Sequence, residues 1–126
     1  MKSIKKLFVP YEIAMLLKEK GFDEPCFGYF PNVENSDKNR IHMDHDPEYA
    51  KNSMLRGSAF SAPTYDQALD WFRERWIWVS VNLFYYDGVH YLPNIASANP
   101  LIELDGGDDY YECMNRAIIK AIELIK

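Results

Sequence analysis

The sequence predicts an α+β fold in which a small antiparallel sheet packs with three helices. Apolar residues recur at helical spacing in segments 10–20, 64–75 and 109–125. Between the last two, strict alternation over 77–86 meets the turn signal Asp87-Gly88 and a second run at 89–96, which together read as a hairpin. An aromatic-rich run near 26–30 adds a strand. A length of 126 residues suits one domain, 1–126, with a core of ordinary size.

The first helix, "PYEIAMLLKEK", has Pro10 in its first turn, where a missing N–H removes no bond. Gly21 ends it in the left-handed position, so Phe22 falls where a Schellman cap returns an apolar side chain to Leu17. "CFGYF" follows as the strand, bounded by Pro25 and Pro31. Periodicity then fails over 32–62, which reads as a long irregular polar loop with room for a short strand only in "SMLRGSAF".

Order resumes at "PTYDQALDWFRERW". Thr64 and Gln67 have the spacing of a capping box, and Tyr65, Leu69, Phe72 and Trp76 share one helical face. In "IWVSVNLFYY", Ile77, Val79, Val81, Leu83 and Tyr85 face one way and Trp78, Ser80, Asn82, Phe84 and Tyr86 the other. A two-residue turn at Asp87-Gly88 sets Leu83 against Leu92, Phe84 against Tyr91 and Tyr85 against His90. Pro93 places the second strand at a sheet edge. "LIEL" has the length of one more short strand. Asp109 caps the last helix, whose buried stripe is Tyr111, Met114, Ile118, Ala121 and Ile125.

The net charge of −5 disfavours sequence-independent binding to phosphate backbones, which needs clustered Lys and Arg. The basic start resembles a signal peptide, but Pro10 and Glu12 interrupt its apolar run, so the expectation is a cytoplasmic protein that does not enter membranes. Cys26 and Cys113 lie in no CxxC pair and read as buried thiols in a reducing compartment.

Three segments, "KGFDEPCFGYF", "PTYDQALDWFRERW" with its following strand, and "YYECMNRAIIKAIELIK", resemble a family of small proteins of gut bacteria, their prophages and their integrative elements. The resemblance covers most of the chain outside 32–60. It implies an association with mobile elements, and it supplies no activity and no catalytic residue. The stretch 40–46 departs from that family's short connection.

That stretch, "RIHMDHD", is the one place where metal chemistry suggests itself. His42, Asp44 and His45 match three positions of the His-x-His-x-Asp-His motif of metallo-β-lactamase-type hydrolases, and Arg40 replaces the first ligand with a fixed positive charge. His90 alone remains downstream. The favoured reading is a solvated polar loop with no metal and no cofactor, and a metal-dependent hydrolase is the alternative. Glu103, Asp105, Asp108 and Asp109 lack the ligand alternation of a calcium loop and read as a capped turn.

Three Trp, nine Tyr and seven Phe exceed what one face of a small sheet buries. Trp78, Phe84, Tyr86 and Tyr91 fall on the hairpin face away from Val81 and form the expected interaction surface. The reading is a non-enzymatic accessory or regulatory module that binds a protein partner or a second copy. A nucleic-acid binder using the same aromatics is a further alternative, although these strands carry no Lys or Arg.

Overall fold

A computed structural model of the chain describes residues 4–31, 40–43, 46–55, 58–85, 88–97 and 101–125. Among the described residues the fold is α+β, with three α-helices and two antiparallel sheets of three strands each. The chain divides into two compact units, Met1–Ala68 and Leu69–Lys126. The strand expected beside the hairpin belongs to the first of them. It pairs with short strands from segment 32–62, which the periodicity rules do not detect at such lengths.

In the first unit, α1 (Tyr11–Glu19) starts one residue later than expected, with Pro10 as its N-cap in extended conformation. Its C-terminus forms the anticipated Schellman cap. The Phe22 N–H donates to the Leu17 carbonyl at 2.9 Å, the Gly21 N–H donates to Lys18 at 3.0 Å, and Gly21 has φ 93°. Leu17 and Phe22 are both fully buried, so the cap also anchors the core. Strand β1 (Gly28–Phe30) lies between β2 (His42–Met43) and β3 (Phe60–Ala62). Phe30 and Phe60 are directly opposite, and Tyr11 of α1 meets both rings edge-on at 5.4 and 4.9 Å.

The segment expected as an irregular loop is organised wherever it is described. It contains β2, 3-10 turns at Pro47–Ala50 and Asn52–Met54, and β3, with Ala50 and Phe60–Ala62 buried. Asn52 pins it: its amide nitrogen donates to the Phe22 carbonyl at 2.6 Å and its amide oxygen accepts from the Ser61 N–H at 2.8 Å. The Asp23 carboxylate accepts from the Ser53 N–H. The bonds to Phe22 and from Ser53 each span 30 residues of chain, so no local pattern announces them.

The unit boundary falls within α2 (Tyr65–Arg73). The capping box forms as expected: the Thr64 hydroxyl accepts from the Gln67 N–H at 3.2 Å and the Gln67 side-chain oxygen accepts from the Thr64 N–H at 2.9 Å. The Gln67 amide also donates to Pro25 at 2.8 Å.

In the second unit, β4 (Trp78–Tyr85), β5 (Val89–Ala96) and β6 (Ile102–Glu103) form a sheet in that order, with α3 (Tyr110–Glu123) against β4 and β5. Asp109 caps α3 by accepting from the Tyr111 and Glu112 N–H groups. Val79 and Ile95 are buried, as are Cys113, Met114, Ala117, Ile118, Ala121 and Ile122 of α3. The buried stripe of α3 is therefore wider than expected, while Tyr111 and Ile125 lie at its half-exposed margins.

The hairpin register differs from the expectation by one residue. Pairing runs from Trp78↔Ala96 to Tyr85↔Val89, so three residues, 86–88, separate the strands, and Gly88 has φ 115°. A left-handed glycine closing a three-residue connection fits the twist of paired strands as a two-residue turn does. Pro93 lies in the central strand, not at an edge. Its carbonyl accepts from the N–H of Leu104, just past β6, at 3.1 Å, and the missing donor removes only the reciprocal bond to Leu104.

Candidate functional site

The one-residue shift redistributes the predicted surface. Opposed residues share a face, so Trp78, Ser80, Asn82 and position 84 align with Ala96, Asn94, Leu92 and His90. Tyr91 instead lies opposite Leu83, on the side where α3 packs, half-buried, with its ring edge-on to Tyr110 at 5.7 Å. Tyr86 is outside the described residues. The side chain of Phe84 is likewise outside the described set, and among the described side chains Trp78 is the predicted site residue that stands exposed on the open face, 44% accessible.

Its neighbour there is Trp76, which the helical spacing assigned to the buried stripe of α2. The helix stops earlier. The Trp76 N–H donates to Arg73 at 3.0 Å and the Ile77 N–H to Phe72 at 3.0 Å, which is a second Schellman cap with Trp76 in the left-handed position, φ 61°. That position ordinarily takes glycine, because Cβ crowds the following carbonyl. Reversing the chain there turns the indole outward, leaving Trp76 71% accessible, while Ile77 turns inward and is buried. Arg75 helps to fix the cap: its guanidinium lies 3.8 Å above the Trp71 ring and donates to the Trp71 carbonyl at 3.0 Å.

Around the tryptophan pair the open face carries Ser80 and Asn82, both exposed, and Leu92, 38% accessible. Strands β4 and β5 contain no Asp, Glu, Lys or Arg. Such a surface is apolar with neutral hydrogen-bonding groups, the composition of interface centres.

The alternative site is only partly in view. His42 lies in β2 opposite Tyr29, with ring centroids 5.6 Å apart, and Arg40 is exposed. Asp44 and His45 lie outside the described residues. Among the described residues, no group of three His, Cys, Asp or Glu converges to hold a metal. Asp109 is committed to helix capping, and Glu103, Asp105 and Asp108 are exposed. Cys26 is fully buried, and burial pushes its thiol from 9.0 up to about 12, so it is a poor nucleophile at neutral pH.

Comparison of the chain with protein-family models, with curated proteins and with solved structures gives no match. Among the described residues, no helix is long and apolar enough to cross a membrane.

Proposed function

We propose that the protein is a non-enzymatic accessory or regulatory module of the cytoplasm that works by docking a protein partner on Trp76, Trp78 and the adjoining open face of β4 and β5. The observation that carries this reading is the exposure of two adjacent indoles, one of them held in a left-handed backbone. A strained, solvent-facing tryptophan contributes little to folding, and strain of this kind concentrates where a surface is used. Tryptophan is also among the residues that dominate binding energy at interfaces. The absence of Lys and Arg from both strands favours a protein partner over a nucleic acid. The resemblance to proteins of mobile elements is consistent with an accessory role.

Binding by the Trp78→Ser chain tests the proposal. Affinity for the partner falls at least tenfold while the melting temperature stays within a few degrees, since one truncated hot spot removes about 2 kcal/mol of binding. Unchanged affinity would remove the tryptophan face from the function.

A further inference from the structure

We propose that the chain also pairs with a second copy of itself along the free edge of β4, antiparallel, about a two-fold axis at Asn82. The inference concerns the backbone of the strand and stands apart from the tryptophan face.

Strand β4 ends the sheet order β4-β5-β6. Tyr91 exchanges both backbone bonds with Gly107, and the Pro93 carbonyl accepts from Leu104, so the odd positions of β5 turn away from β4. Its even positions therefore hold the β4 ladder, and the register assigns the inward groups of β4 to Trp78, Ser80 and Asn82. Val79, Val81, Leu83 and Tyr85 direct their N–H and C=O groups to the open side. None of these groups has a backbone partner outside the sheet among the described residues.

Edge strands are normally guarded by charge, proline, a bulge or short length. Strand β4 has none of these: it reads "WVSVNLFY", it spans eight residues, and its register runs unbroken from end to end. What fits such an edge is another uncharged strand.

A second copy fits because the edge is self-complementary. An antiparallel pair related by a two-fold axis normal to the sheet sets residues of equal parity opposite each other. With the axis at Asn82, Val79 meets the partner's Tyr85 and Val81 meets the partner's Leu83. Every outward donor and acceptor is then satisfied in one register. The same pairing covers Leu83 and Tyr85, which stand 49% and 74% accessible in the single chain, with valines from the other copy. None of the chain's net charge of −5 lies on β4, so no like charges meet along the paired edge. The sheets join into one surface with both tryptophan pairs on the same side.

Sedimentation equilibrium and amide hydrogen exchange on the full chain test the proposal together. The expected result is a dimer in which the Val81, Leu83 and Tyr85 amides gain protection as concentration rises, while the Ser80 and Asn82 amides are protected throughout. Leu83→Pro removes an outward N–H that the chain's own ladder does not use, and it yields a folded monomer. Should that variant fail to fold, the odd and even amides of the wild type still decide. A wild type that stays monomeric, a dimer whose odd amides exchange freely, a folded Leu83→Pro dimer, or a monomer that accepts only foreign strands would each overturn it.

Discussion

Trp76 and Trp78 lie with ring centroids 5.7 Å apart and planes inclined at 55°, while Ile77 between them is buried. One residue of left-handed backbone and the first alternation of β4 together create this outward pair.

If Trp76 is kept for docking rather than for folding, Trp76→Gly stabilises the chain by about 1 kcal/mol, the strain released when glycine takes a left-handed position. Urea denaturation measures the change. Binding falls in the same variant, so stability and function move in opposite directions. A loss of stability would show that indole contacts outweigh the strain.

Asn52 holds the connection between the Phe22 carbonyl and the Ser61 N–H. Asn52→Leu leaves both groups without that partner and lowers stability by about 2 kcal/mol, within the range for buried unsatisfied polar groups. Limited proteolysis of this variant cuts near 46–55 sooner than in the wild type. Equal cutting rates would mean that the segment is held by other contacts.

Cys26 gives the chain an alkaline sensitivity. Its folded-state pKa is raised, so below pH 9 the folded and unfolded states both keep the proton. Between pH 9 and about 12 only the unfolded thiol ionises, and stability falls as pH rises. Cys26→Ala removes this contribution, and its stability declines less steeply than that of the wild type over that interval. Parallel pH profiles would contradict the assignment.

Thr64→Ala and Asp109→Ala each remove a helix N-cap and each lower stability by about 1 kcal/mol, read from denaturation midpoints. Neither alters partner binding. A binding defect at unchanged stability would move the residue from scaffold to site.

Local signals were legible wherever the chemistry was local. Gly21 with Phe22, Thr64 with Gln67, and Asp109 before α3 each act within a few residues, and each forms as its spacing implies. The hairpin was visible, but its register was not, because Asp87-Gly88 serves a two-residue or a three-residue connection alike. That single shift moved Tyr91 to the α3 side. The described part of segment 32–62 was not legible, because Asn52 and Asp23 act across 30 residues, leaving no periodic trace. Trp76 was missed for a related reason: helical spacing continues through it, and the end of α2 is set by a cap without glycine.

The central claim rests on Trp78, and its most direct test is quantitative mass spectrometry of proteins retained from native-host extract by wild-type and Trp78→Ser chains of matched melting temperature. The account predicts a partner retained by the wild type and lost from the variant, with the oligomeric state of both chains unchanged. Identical sets of retained proteins would contradict it.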